Sequence, residues 1–319
     1  MPDPAKNPAD NPAASLFDPR ALSMRAARAA KLWPAGDFLH RRAAAAMAER
    51  LDDVARGFAT VGVVGAGGGA YAESLRGRPG VARVIQLEAD PAMAAVAARA
   101  APWAETVTGQ GQAMLGAAAL GEGACDLILS GLALHRENDP VGALIQMRRA
   151  LKPDGLFLGA LLGGRTLHEL RAALAEAEIA EEGGLSPRVA PMADVRDLGG
   201  LLQRAGFAMP VADVERIEAS YADPLALMRD LRAMGEGNAL SERRRRFLRR
   251  ATLARAAALY ADSFPAPQGR VRATFEIVWL SGWAPGPDQP TPKRPGSATA
   301  RLADALGAVE RPLGEKAGV

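Results

Sequence analysis

Apolar positions along the chain change period twice. From Leu16 to about Thr60 they recur at spacings of three and four, in "ALSMRAARAAKL" and "DFLHRRAAAAMAERLDDVARGF", which predicts two helices. They part at Trp33-Pro34, because a proline ring cannot continue a helix, and Asp37 stands where the second helix needs a cap. Beyond residue 60, short apolar runs alternate with helical stretches. Strands are predicted at Thr60–Val64, Ala82–Glu88, Glu105–Thr108, Cys125–Ser130 and Leu156–Leu161, and helices near Ala70–Arg76, Pro91–Ala100, Ala113–Ala119 and Val141–Leu151. Short runs of this kind belong to strands buried on both faces. Strict alternation implies a parallel sheet with right-handed crossovers and helices on both sides, and a ligand beyond the carboxyl ends of the strands.

After Leu162 the pattern changes again. "TLHELRAALAEAEIAEEGG" and "DVRDLGGLLQRAGF" read as helices ended by glycine, and "VADVERIEASY" as a strand. A helical insert over residues 221–265 precedes "VRATFEIVWLSGW", a run of strong strand formers. Residues 284–319 form a proline-rich tail with a short helical piece at Thr299–Leu306, and residues 1–15 a polar, proline-rich leader expected to be disordered. One domain over 16–283 is expected between them, its first part, 16–60, a helical cover. There is no internal repeat.

Composition narrows the setting. Hydrophobic residues make up 49% of the chain, yet no apolar stretch reaches the ~18 residues that cross a bilayer, so no transmembrane helix is expected. Cys125 is alone, and with His40, His135 and His168 it forms no metal-ligand spacing. A reducing compartment without a structural metal is expected. The leader lacks the apolar core of a secretory signal, so a cytoplasmic location is expected. Net charge is only +3, and the basic excess is concentrated in "SERRRRFLRR", Ser241 to Arg250. That cluster reads either as the solvated face of a helix or as a dock for an acidic protein or membrane surface. It lacks the aromatic series that single-strand binders interleave, so no nucleic acid is expected.

The densest chemical signal is "VGVVGAGGGAYAESL", a strand that runs into Gly65-x-Gly67-x-Gly69 and then a helix. Glycines there let a ligand approach the backbone and let the helix start close to the sheet. Its amides could hold a ligand at the helix start. Glu88 ends the second strand, where a carboxylate accepts hydrogen bonds from both ribose hydroxyls of an adenosine; Asp90, just ahead of "PAMAAVAARA", is placed to cap that helix instead. Turn and acid together indicate an adenosyl ligand and leave NAD and S-adenosylmethionine both open.

Later segments choose. "CDLILSGLALHRENDP" is a strand with His135, Asn138 and Asp139 at its exit, and in "ALIQMRRALKPDGLFLGALLGG" a Lys-Pro-Asp-Gly turn precedes a fifth strand. These features resemble the class I S-adenosylmethionine-dependent methyltransferase family. "SPRVAPMADVRDLGGLLQRAGFAMPVADVERI", "YADPLALMRDLRAMGEGNAL", "RATFEIVWLSGWAP" and "RPGSATARLADAL" are similar to bacterial relatives of the mitochondrial complex I (NADH dehydrogenase) assembly factor 5 family. The resemblance implies a Rossmann-like α/β fold with a mostly parallel seven-stranded sheet, its last strand antiparallel. It also implies S-adenosylmethionine as cofactor and a protein substrate, a complex I subunit or assembly intermediate, with peripheral membrane association through that complex. Because the family's mitochondrial member is known as an arginine hydroxylase, a hydroxylating or non-catalytic assembly factor stays open, as does a small-molecule methyltransferase acting on a thioester or carboxylate.

Two departures from the methyltransferase pattern stand out. Val63 occupies the position of the acid before the glycine turn, and after the third strand only Gln110 or Gln112 could face an adenine amino group; Gln112 is taken as the cofactor residue with Gly65, Gly67, Gly69 and Glu88. His135 is the candidate acid or base, and Asn138 and Asp139 are expected to cap the next helix.

Overall fold

The computed structural model describes residues 15–33, 35–109, 117–287, 289, 297 and 300–309. Residues 1–14 of the leader, Gln110 and Gln112 lie outside them. The chain divides into residues 1–286 and 287–319; among the described residues of the second is the short helix α11 (Leu302–Leu306).

Eight strands form one sheet: β1 (Thr60–Val64), β2 (Arg83–Glu88), β3 (Glu105–Thr108), β4 (Cys125–Gly131), β5 (Leu151–Leu162), β6 (Ala208–Tyr221), the two-residue β7 (Pro265–Ala266) and β8 (Arg270–Trp283). Their order is β3-β2-β1-β4-β5-β8-β6, with β7 paired to β8. The first five are parallel, while β8 runs antiparallel to both β5 and β6. The expected seven-strand path is present, and β7 is a small addition at its edge.

Strand alternation sorts the core into two layers. Leu127, Leu129, Leu158, Ala160, Ile277 and Trp279 face one side. There they meet α2 (Phe38–Asp52), α7 (His168–Glu182), α9 (Pro224–Ala233) and α10 (Arg250–Ser263). Ile128, Phe157, Val278 and Leu280 face the other, against α6 (Pro140–Ala150) and α8 (Val195–Arg204). The remaining helices are α1 (Pro19–Leu32), which packs on α4 (Pro91–Ala100) and α9, and the one-turn α3 (Ala70–Glu73) and α5 (Ala117–Leu120).

Caps follow local chemistry with three corrections. Asp90 accepts from the amides of Ala92 and Met93, and Asp139 from that of Gly142, as their positions predict. Asn138 is no cap: its side chain exchanges two hydrogen bonds with the Phe17 backbone (2.8 and 3.0 Å), pinning the segment that leads into α1 to the β4 exit. Asp37 makes no capping bond and pairs with Arg41 at 2.9 Å. The arginine cluster is not helical, since helix stops between Ala233 and Arg250. Adjacent cations repel, and acids elsewhere draw them apart: Arg243 reaches Asp18 at 2.9 Å, and Arg244 pairs with Glu182 and Glu178. The insert therefore has a helix at each end and an irregular, ion-paired middle of turns and bends.

Candidate functional site

The glycine turn lies between β1 and β4, where the strand order reverses. Gly65, Gly67, Gly68 and Gly69 all have positive φ, from 55 to 94°, a backbone state that side chains resist. Each glycine also admits a neighbour. A Cβ on Gly65 would lie 2.9 Å from both Ala133 Cβ and the Gly131 carbonyl oxygen, and one on Gly69 would lie 2.8 Å from Ala100 Cβ. The first approach closes the turn on β4; the second seats α4. A Cβ on Gly67 would meet His40 and Tyr71 at 2.6 Å, and one on Gly68 would collide with the Trp33 indole.

Trp33, His40 and Tyr71 thus form an aromatic group over the turn. The His40 and Trp33 rings are 5.3 Å apart, and His40 Nδ1 lies 3.2 Å from the Tyr71 hydroxyl. Burial holds His40 neutral, pushing its pKa down to about 4, and pushes the Tyr71 phenol well up. The expectation that residues 16–60 cover the pocket came with the methyltransferase resemblance, which pointed to His40; Trp33 was missed because it reads only as the residue before a helix-breaking proline.

Glu88 ends β2, half-buried, and no cation pairs with it among the described residues. Burial raises its pKa, opposed by the amides of Asp90 and Ala89 and by the more distant charge of Arg136. Val63 is fully buried in the core layer, so the position before the turn offers no acid. Nearby, the Ser130 hydroxyl is buried at the end of β4 without a hydrogen-bond partner.

His135 follows β4 in a single 3-10 turn, Leu134–Arg136. Its Nε2 lies 3.2 Å from Glu236 Oε2, and the Leu162 amide donates to Nδ1 across 3.5 Å. Both nitrogens are therefore engaged, with the proton on Nε2. Arg136 adds a second contact to Glu236 at 3.5 Å. Burial alone would raise the Glu236 carboxyl, but Arg136 and His135 overcome it and hold it down to about 2. Glu236 was missed in the sequence because it comes from the segment after α9, a hundred residues away. His168 lies outside this group, its ring against Phe264. Among the described residues, no three His, Cys, Asp or Glu side chains converge as a metal site.

A glycine turn at the switch point, an acid closing β2 and an antiparallel final strand define a Rossmann-like adenosyl-ligand fold of methyltransferase type. A methyltransferase domain profile matches residues 63–159, and the YcgJ protein of Bacillus subtilis shares the fold with a TM-score of 0.52, at 14% identity, over 76% of this chain and 99% of that one. The rat "Arginine-hydroxylase NDUFAF5, mitochondrial" is 35% identical over 304 residues, 92% of this chain and 87% of the relative. Its zebrafish counterpart is 44% identical over 183 residues, an alignment that spans 57% of each protein. The "Malonyl-[acyl-carrier protein] O-methyltransferase" of Halorhodospira halophila is 35% identical over 280 residues, 88% of this chain and 92% of that protein. The chain belongs to the class I S-adenosylmethionine-dependent methyltransferase family, in a branch related to these proteins.

Proposed function

We propose that this chain uses S-adenosylmethionine to modify a protein substrate, and that it acts from the cytoplasm in the assembly of respiratory complex I. The observation that carries the cofactor reading is Glu88, a carboxylate without a cation partner among the described residues at the end of β2, beside a turn whose glycines hold positive φ. Glu88 would accept from the two ribose hydroxyls, and the turn of Gly65, Gly67 and Gly69 would face the rest of the ligand. When bound, S-adenosylmethionine supplies an activated methyl group, so the chain's own work is to align the acceptor and exclude water. Val63 cannot accept a hydrogen bond from the ligand's ammonium group. One lost charged hydrogen bond lowers affinity roughly ten- to a hundredfold, so binding is expected to be weak. The protein-substrate and complex I reading is supported by the near full-length similarity to proteins named arginine hydroxylase NDUFAF5.

Calorimetric titration with S-adenosylmethionine and its demethylated product tests the cofactor reading. Saturable binding that weakens at least tenfold in Glu88→Ala is expected; no binding at millimolar ligand would sink it. A second reading, methyl transfer to a small acyl carboxylate, is favoured by the malonyl-carrier relative. A methylated complex I subunit that disappears when the gene is deleted would separate the first from the second.

A further inference from the structure

Two surface elements outside the ligand site carry cations that the fold leaves without counter-ions. The first is the outer face of α1. Arg20, Met24, Arg28 and Lys31 recur at helical spacing and are all exposed, with Leu32 beside them, and the helix contains no Asp or Glu. Arg20, Arg28 and Lys31 have no carboxylate partner among the described residues. The second element is the irregular middle of the insert. Arg243 and Arg244 are tied closely to acids there, Arg245 and Arg249 hold theirs loosely at 3.9 and 3.8 Å, and Arg246 and Arg250 have none among the described residues. Between these arginines stands Phe247, which is 100% exposed.

Contacts at the head of α1 hold the two elements side by side. Asp18 receives Arg243 at 2.9 Å and Arg245 at 3.9 Å, and the Ser241 amide donates to the Leu16 carbonyl oxygen at 2.9 Å. Arg25 of α1 feels the charge of Arg243 as well as that of Arg28. Within residues 16–32 and 241–250 the one exposed acid is Glu242. The joint surface is therefore strongly positive, and its exposed apolar side chains, Leu16, Met24, Leu32 and Phe247, stand singly among the cations.

Like charges held together without counter-ions repel one another, and a negative surface laid over them removes that cost. The spacing of the apolar groups decides what kind of surface fits. Met24 and Leu32 are separated by about 12 Å of helix, and an acidic protein would need a shaped socket for each of them and for Phe247. A bilayer takes separate apolar groups at its headgroup boundary and cations at its phosphates without any matching shape. We infer that the outer face of α1 and the Arg245–Arg250 segment form a direct docking surface for an anionic lipid bilayer. Phe247 enters the headgroup boundary, while Arg20, Arg28, Lys31, Arg246 and Arg250 face lipid phosphates. Docking of this kind needs neither a protein partner nor a bound cofactor.

The test is co-sedimentation of the full chain, without S-adenosylmethionine, with vesicles of phosphatidylcholine alone or with ~30 mol % phosphatidylglycerol. Binding to the anionic vesicles is expected to be at least ~tenfold tighter than to the neutral ones and to weaken as salt is raised. Arg20→Gln/Arg28→Gln/Lys31→Gln and Arg246→Gln/Arg250→Gln should each weaken it at least ~tenfold, and Phe247→Ser at least ~threefold. All of these positions are exposed, so unchanged melting temperatures are expected. The inference is overturned by no binding to either vesicle, by equal binding to both, or by an affinity that either charge variant leaves unchanged. Soluble polyglutamate that displaces the vesicles, together with a Phe247→Ser variant that binds them unchanged, would assign the surface to an acidic protein and overturn it as well.

Discussion

The glycine turn and a cavity of about 300 Å³ lined by Arg25, Arg28, Arg136, Arg188 and Arg232 both adjoin the β4 exit but are built in opposite ways. The turn is backbone, packed so closely that Gly65, Gly67 and Gly69 each lack room for a methyl group. The cavity is side chain, drawn from α1, the β4 exit, the α7–α8 connection and α9, and it keeps several cations without counter-ions among the described residues. A ligand surface made of backbone tolerates almost no substitution, while one made of long side chains can be retuned residue by residue without disturbing the fold. Substitutions should therefore be costly at the turn and tolerated at the cavity mouth.

Substitutions across the two regions should rank accordingly. The largest effect is expected at their junction: Glu236→Ala leaves Arg136 and His135 without their carboxylate and should cost about 3–5 kcal/mol in chemical denaturation. Gly67→Val should cost roughly 3 kcal/mol, because it adds a strained φ of 55° to a contact at 2.6 Å from His40 and Tyr71. A fall in melting temperature of only a degree or two would show that the cover yields, and would break the contrast.

Acid should loosen the turn next. His40 is neutral in the fold, with its pKa lowered to about 4 from 6.5, so the unfolded chain binds a proton that the folded chain refuses. Stability is thus full above pH 6.5 and declines toward pH 4, by about 2–3 kcal/mol from this group. The wild-type pH slope should shrink in His40→Gln, and an unchanged slope would put the titration elsewhere. At the cavity mouth, Arg28→Gln should alter stability by no more than ~0.5 kcal/mol, because the side chain is exposed and has no ion-pair partner among the described residues.

Legibility in the sequence divides along the same line. β1, the turn, Glu88 and the cap at Asp90 were readable because each is local: an apolar run, a glycine spacing, an acid at a strand end, an acid before a helix. The antiparallel β8 was readable only through resemblance, as no local pattern reports strand direction. The cavity was not readable. Arg25, Arg28, Arg188 and Arg232, taken singly, look like ordinary solvated cations in an arginine-rich chain, and only the fold brings them around one space. The dense cluster at Ser241–Arg250 attracted attention for its composition, yet four of its arginines serve as ties to Asp18, Glu178 and Glu182.

One of those ties sets a schedule for biosynthesis. The start of α1 is fastened by Asp18 to Arg243, and by an isolated bridge from Phe17 to Leu240. More than two hundred residues separate the two ends of each contact. On the ribosome, the first five strands and the glycine turn can emerge and pair, and Asn138 can hold Phe17, while α1 still lacks these two later ties. The lid made first is thus completed last, and nascent chains stalled before residue 240 should leave Trp33, half-buried in the finished protein, more open to quenchers.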